Sequence, residues 1–511
     1  MVLPPWMRRR RVARRLTSGD WRDVASGFTF EPCCRVLGIM ARATAHQQNE
    51  SSGGARDLLL EVDLRRGRMR KNLRETLRSA IQEGRLVAGT TLPSSRTLAV
   101  NLGLSRGVVT DVYDQLAAEG YLAMEPRHAA TVAGVASAAL AKPEPATPEW
   151  RFDFSATTPN VELFPRRPWI RSVERSLRSA SRDALDYGDH RGRIELRVAV
   201  RNYLARVRGV RTDPGRIVIT QGFTQALDLL CRVLAARGAT TLAFETPSLP
   251  DEWATVRASG LRLLACPVDR HGLIADKLKQ SDAAAVVVTP AHQFPTGVVM
   301  TSARRTALVR WAAGEGRLII EDDYDAEFRY DRAAVGALQG LDPGRVVHVG
   351  TASKTLAPGV RLGWLSLPAD LVDEVRACKG ASDSGSPAID QLALADLIST
   401  GEYDRQVGRA RHLYRRRRDQ LVDALSARLP HLRVEGAAAG LHVLLRLQES
   451  VDDSAFARMA ASRGIAVRAL SPMLLAGGRD RGLLLGYGRL PFERIDEAVE
   501  SLARVIGRDG G

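Results

Sequence analysis

Lys354 carries the first chemical signal in this chain of 511 residues. It stands in TASKTLAPGVRLGW (351–364), between Ser353 and Thr355, with Pro358, Gly359 and Arg361 following. A lysine that acts as an amine nucleophile must be held by a tight backbone and partly desolvated, which lowers its pKa. Hydroxyls and an arginine close by are what a phosphate group requires. Upstream, LIIEDDYDAEFRY (318–330) runs from an apolar stretch into acidic residues and a tyrosine. The C-terminal ends of strands are where α/β folds bind ligands. Alone, these carboxylates would also suit a metal. Read with Lys354 they point to pyridoxal phosphate (PLP), whose pyridine nitrogen stays protonated beside a buried carboxylate and whose ring oxygen a tyrosine hydroxyl can bond. QGFTQ (221–225) offers a phosphate cup, because a glycine turn there opens a helix with free N–H groups.

The elements that must position these residues alternate in type. Strand-like apolar runs at 217–220, 242–244, 285–288, 318–320, 346–349 and 363–367 are separated by helical stretches. That alternation predicts an α/β domain with a mainly parallel sheet over 151–511. An arginine-rich helix is expected at 404–428. No apolar run approaches the ~20 residues of a membrane helix, so no membrane partner is expected.

A different pattern precedes it. Leu73, Leu77 and Ile81 recur every four residues and form one helical face. Ser94 or Ser95 can cap a second helix, Gly103 makes a turn, and Ser105 caps a third helix carrying Val108, Val109, Val112, Tyr113 and Leu116. Two short β-prone runs follow, at 121–124 and 130–132. Helix, turn, helix and hairpin over 56–133 are the plan of a winged helix-turn-helix, whose second paired helix enters the major groove by its N-terminal end. Arg106 would reach a base edge or a phosphate, Ser94, Arg96 and Ser105 suit phosphates, and Thr110 completes the DNA-facing set. Residues 134–150, GVASAALAKPEPATPEW, read as a linker. Residues 1–55 read as a disordered extension or a mis-assigned start.

The net charge is +16, which suits a polyanionic partner, although only six of the 74 basic residues are lysines, a skew that GC-rich codons also produce. The five cysteines, among them neighbouring Cys33 and Cys34, fit no zinc spacing; no metal site and a reducing cytoplasm are expected.

The first module resembles the DNA-binding domain of GntR-class bacterial regulators through IQEGRL (81–86), G-T-x-LPSSRTLA (89–99), LGLSRGVV (102–109) and YDQLAAEGYL (113–122). It departs at the wing tip, where Arg127, His128, Ala129 and Ala130 stand in place of a glycine-bearing turn. With DYGDHRG (186–192), TPAHQFPTGVVM (289–300), EDDYDAEFRY (321–330), SKTLAPGVRLGW (353–364) and LLLGYGRL (483–490), residues 56–506 resemble the MocR branch, in which that module is fused to a fold-type I aminotransferase-like PLP domain. The resemblance implies an internal aldimine on Lys354, Asp322 on the pyridine nitrogen and Tyr324 on the ring hydroxyl. It assigns the phosphate to Gly222, Phe223, Thr224, Thr351, Ser353 and Arg361, with Tyr187 reaching the partner subunit's phosphate in a homodimer. Arg489 would grip an effector carboxylate, and His292 and Gln293 would flank the ring. Leu249 stands where the family usually stacks an aromatic residue on the ring, and His190 replaces a common proline. The implied function is a PLP-dependent transcriptional regulator that binds a double-stranded DNA operator and senses an amino compound or PLP itself. Such a regulator would show at most residual or half-transamination activity. The alternatives are a catalytically active class I/II aminotransferase with an accessory DNA-binding module, and a cofactor-free DNA-binding dimer.

Overall fold

The structure, a computed structural model, describes residues 68–125, 128–134, 149–314, 316–330 and 335–507. The expected extension with Cys33 and Cys34, most of the expected linker, and Arg127 at the wing tip lie outside the described residues. The chain divides into two compact units between Ala146 and Thr147.

In the first unit, α1 (Met69–Gln82) buries Leu73, Leu77, Ala80 and Ile81 along one side, the stripe that its sequence spacing dictates. Helix α2 (Ser95–Leu102) begins at Ser94, whose hydroxyl accepts the Thr97 N–H at 3.1 Å. It ends at Gly103 with φ +67°, a left-handed turn that glycine adopts without steric cost. Helix α3 (Arg106–Ala118) begins at Ser105, which accepts the Val108 N–H at 3.4 Å. Tyr113 donates to the carbonyl of Pro93 at 2.9 Å and so fastens α3 to the start of α2. Strands β1 (Leu122–Ala123) and β2 (Thr131–Val132) pair antiparallel, and all three helices share one apolar core with them.

The second unit opens with β3 (Phe152–Asp153), α4 (Arg166–Ser179) and α5 (Ile194–Arg208). Alternation follows: β4 (Ile217–Thr220), α6 (Phe223–Ala236), β5 (Thr241–Thr246), α7 (Pro250–Ala258), β6 (Arg262–Asp269), β7 (Gly272–Leu273), α8 (Asp276–Lys279), β8 (Ala285–Val288), α9 (Ser302–Gly314), β9 (Leu318–Asp323), β10 (Val346–Thr351) and β11 (Gly363–Ser366). Then come α10 (Val372–Asp383), α11 (Ala388–Ser399) and α12 (Glu402–Arg428). A smaller region closes the chain with β12 (Val434–Glu435), β13 (His442–Leu447), α13 (Asp453–Ser462), β14 (Ile465–Ala466), β15 (Arg468–Ala469), β16 (Arg481–Gly486) and α14 (Ile495–Ile506).

The large sheet has the order β4-β11-β10-β9-β8-β5-β6-β7. Strands β10, β9, β8, β5 and β6 pair in parallel, while β11 runs antiparallel to both its neighbours and β7 to β6. The sheet is therefore mixed and mostly parallel. Because side chains alternate along a strand, each central strand feeds two cores. Leu242 and Phe244 join Val287 and Ile320 beneath α6, α7 and α10, while Ala243, Val286, Val288 and Ile319 meet Leu308 and Trp311 of α9 on the other face. Burying each such large apolar side chain stabilises the fold by roughly 1.5–3 kcal/mol before entropy is counted. Strand β6 was not among the expected strands. Seven of its eight residues are only partly buried or exposed, so its sequence carries neither a continuous apolar run nor a clean alternation.

Candidate functional site

One cavity of about 300 Å³ opens where the C-terminal ends of β4, β5, β8, β9 and β10 converge. From β4 the chain turns at Gly222, with φ +102°, into α6, and Gly222, Phe223 and Thr224 line the cavity. No side chain caps that helix start, so its N–H groups and dipole face outward as an anion site. Arg361 lies against it. A Cβ on Gly222 would sit 3.5 Å from Arg361 Nη2. Arg361 itself takes φ +52° at the end of the turn Pro358–Val360, which carries its guanidinium back toward α6. Thr351 and Ser353 complete this cationic side, with the Ser353 N–H bonded to Thr351 Oγ1 at 3.1 Å.

The two adjacent aspartates of β9 part company because a strand has a period of two. Asp322 lines the cavity, whereas Asp323 is buried on the opposite face, bound by Arg208 Nε at 2.7 Å and His348 Nε2 at 3.0 Å. Tyr324 and Lys354 also line the cavity. Removal from water drives the Asp322 carboxyl well above its usual range, reinforced by the charges of Glu252 and Asp323 and opposed by Lys354. Burial lowers the Lys354 pKa against the pull of Asp322, Asp325 and Glu252. Lys354 is thus an amine biased toward its neutral, nucleophilic form.

These residues fit PLP. A guanidinium and a free helix start suit a phosphate, a desolvated carboxyl suits a pyridine nitrogen, a phenol suits a ring hydroxyl, and a desolvated amine suits an aldehyde. Leu249 lines the cavity as the residue before α7 and packs with the cluster of Phe294, Tyr324 and Leu484, so an aliphatic side chain stands at this point of the wall.

Two of the expected residues stand elsewhere. Tyr187 is 91% exposed and does not line the cavity. Arg489 also lies outside the lining, and its Nη1 bonds Asp153 Oδ2 at 2.9 Å. His292 and Gln293 are buried beside the cavity. Gln293 donates to the carbonyls of Pro247 and Phe294, a supporting arrangement. His190 packs on α10, where a Cβ at Gly380 would meet its ring.

Several lining residues were not expected from the sequence, and three of them bear on the chemistry or the backbone. Glu252, in the first turn of α7, has its carboxyl pushed up to about 8 by burial and by Asp251. Glu245, at the end of β5, is pushed up to about 7 by burial, although the N–H and hydroxyl of Thr289 both donate to it. Thr157 lines the cavity at φ +60°, a conformation that costs a non-glycine residue roughly 1–3 kcal/mol. The signal for Glu252 was present, since a helix starting directly after a parallel strand aims its first turn at the strand ends.

In the first unit, Ser94, Arg96, Ser105 and Arg106 are exposed and Thr110 is half-buried. Arg106 opens α3, and its Nε lies 3.5 Å from Ser95 Oγ, so it bridges the starts of both helices of the turn. Among the described residues no helix is long and apolar enough to cross a membrane.

Fold and site together define a helix-turn-helix module followed by a PLP-type aminotransferase domain. Residues 69–132 match the family of bacterial regulatory proteins of the gntR type, and residues 160–503 match aminotransferase class I and II. The chain is 33% identical over 439 residues to an uncharacterized HTH-type transcriptional regulator, YhdI, of Bacillus subtilis, covering 83% of this chain and 92% of the relative. It is 31% identical over 458 residues to the probable rhizopine catabolism regulatory protein MocR of Rhizobium meliloti, covering 85% of this chain and 93% of that one. The second unit superimposes on LysN, an α-aminoadipate aminotransferase of Thermus thermophilus complexed with N-(5'-phosphopyridoxyl)-L-leucine. The TM-score is 0.63 at 25% identity, over 70% of this chain and 92% of that one. The chain belongs to the MocR-type regulators, which join a GntR helix-turn-helix to a PLP-dependent aminotransferase class I and II domain.

Proposed function

We propose that the second unit senses an amino compound, or PLP itself, through Lys354, and that occupancy of its cavity sets the affinity of residues 56–133 for an operator. The observation that carries this reading is the shared cavity of Lys354, Asp322 and Tyr324 beside the cationic cup of Arg361 and α6. When bound, PLP supplies an aldehyde that condenses with primary amines. In this reading Gly222, Phe223, Thr224, Thr351, Ser353 and Arg361 hold the phosphate, Asp322 faces the pyridine nitrogen, and Tyr324 bonds the ring oxygen. Lys354 Nζ is the nucleophile, and its burial disfavours the protonated form. A ligand shifts the regulator only by binding two of its states unequally.

Arg489 is the candidate holder of an effector carboxylate, and it must first exchange Asp153 for that ligand. The same reading makes the protein a cytoplasmic homodimer in which Tyr187, exposed here, reaches the partner subunit's phosphate. Two recognition helices then meet paired half-sites, with Arg106 and Thr110 toward the groove and Ser94, Arg96 and Ser105 on phosphates. Residues 134–150 join the two functions. The set around Lys354 also suits amino-group transfer, and steady multiple turnover without operator binding would favour that second reading.

The test is borohydride reduction of the full chain with PLP, followed by mass analysis of the peptide containing Lys354. The expected result is one phosphopyridoxyl group on Lys354, lost in Lys354→Ala together with the visible absorbance. A group fixed on another residue, or a protein that stays colourless with excess PLP, overturns the reading.

A further inference from the structure

His292 is buried, and its Nδ1 faces two oxygens at once, Tyr324 Oη at 3.1 Å and Asp325 Oδ2 at 3.0 Å. Asp325 is also buried, with 1% of its surface exposed. A proton on the shared nitrogen lets one N–H serve both oxygens, which assigns the imidazole as the Nδ1–H tautomer. That N–H lies between Asp325 and the phenol and so occupies the acceptor side of Tyr324 Oη.

The surroundings leave the ring little freedom. Gly440, at φ +82°, closes over it so tightly that a Cβ there would come within 2.3 Å of His292 Cε1 and 2.6 Å of Asp325 Oδ2. On another side stands His442, its ring centroid 5.5 Å away. His442 is drawn down to about 3 by burial and by His292, and its Nε2–H donates to the carbonyl of Pro295 at 3.1 Å. It therefore brings no positive charge. His292 Nε2 is buried with no hydrogen-bond partner, as suits a bare lone pair. The groups facing the Tyr324 hydroxyl are Asp325, which is also within reach as a hydrogen-bond acceptor, Asp322 and Tyr487, and burial together with the two carboxylates keeps the phenol protonated. A phenol has one proton to give. Asp325 competes for it, but the His292 N–H is held against Asp325 Oδ2 as well as against the phenol oxygen, so the carboxylate oxygen is occupied and the phenol's proton is left for the cavity.

We propose that His292, oriented by Asp325, is a positioning residue for the cofactor's ring oxygen: its Nδ1–H fixes Tyr324 Oη as an acceptor and thereby directs the single Tyr324 proton onto that oxygen. The proposal rests on Tyr324 being the ring's hydroxyl partner, and the test separates the two.

The measurement is the pH midpoint of the visible absorbance of the full chain loaded with PLP. A donor on the ring oxygen favours the deprotonated chromophore, in which that oxygen is more negative, so losing the donor raises the midpoint. Tyr324→Phe should raise it by roughly one pH unit, and His292→Leu by roughly half that. His292→Asn, whose amide N–H overlies Nδ1, should stay near the wild type. In the Tyr324→Phe background, His292→Leu should add nothing. If His292→Leu does not load PLP, Asp325→Asn replaces it, with a smaller rise expected in the same direction. A Tyr324→Phe shift with none in the His292 and Asp325 variants overturns this proposal alone. Equal shifts by His292→Leu in both backgrounds also overturn it. No shift in Tyr324→Phe removes the Tyr324 assignment and the proposal with it.

Discussion

Arg489 Nη1 lies 2.9 Å from Asp153 Oδ2, across 336 residues of sequence, and joins the end of β16 to the first strand of the second unit. Burial works against the charge on Asp153, but the Ser155 hydroxyl, Arg489 and the Ser155 N–H outweigh it and hold its pKa below the usual value. The same stretch is clamped further along, where a Cβ on Gly486 or Gly488 would strike the carbonyls of Ser155 or Thr158. Any ligand carboxylate that uses Arg489 competes with Asp153. Replacing Asp153 by Asn should therefore tighten binding of carboxylate-bearing amines to the PLP-loaded protein by roughly 3–10-fold. Titration of the visible spectrum with such amines and with simple alkylamines checks it. An equal change for both classes would take Arg489 out of effector binding.

The cup at Gly222 makes a sharper demand. At φ +102° an L side chain is strained by roughly 1–3 kcal/mol, and the turn must relax to accept one. Gly222→Ala should weaken PLP binding by roughly tenfold or more, because relaxation moves the α6 N–H groups off the phosphate. Fluorescence titration with PLP reads this directly, and inorganic phosphate should compete more weakly in the variant.

Stability of the cofactor-free protein should fall as pH rises. Glu245 moves from an ordinary 4.5 to about 7 on folding, so the folded state holds a proton that the unfolded chain has released. Its contribution is complete below about pH 4.5 and is lost as pH climbs through 7. Glu327 and Glu252, at about 7 and about 8, act in the same direction. Glu245→Gln keeps an acceptor for Thr289 without the charge. It should recover at most roughly 3 kcal/mol at pH 8. The corresponding melting gain is roughly 2–5 °C at pH 8 and little at pH 5. A gain that does not depend on pH would assign the effect to packing.

In the DNA-binding module, Arg106→Ala should weaken operator binding by roughly tenfold and reduce the salt slope by about one if it contacts a phosphate. Tyr113→Phe should leave the contacts in place and destabilise the module by about 1 kcal/mol, through loss of its bond to Pro93. Band-shift titrations at several salt concentrations separate the two.

The sequence made much of this site legible because its chemistry is local. Lys354, Ser353 and Arg361 lie on one short turn, and Gly222 to Thr224 form a strand-to-helix junction, so spacing alone brings them together. The division of labour between Asp322 and Asp323 needed the strand register, which fixes the face each one takes. Glu252 was hidden because a charged residue early in a helix reads as a solvated face. The partners Asp153 and Arg489 were hidden because nothing local links them. Strand β6 escaped for a related reason: its neighbours, not its own residues, supply the periodicity of the sheet.

The most direct test is operator affinity of the PLP-loaded chain with and without an amine that changes its visible spectrum, measured side by side for the native sequence and Lys354→Ala. The account predicts that the amine shifts the affinity of the native chain at the same concentration that shifts the spectrum, and leaves Lys354→Ala unmoved. An equal shift in both proteins, or a spectral change with operator affinity untouched, would contradict it.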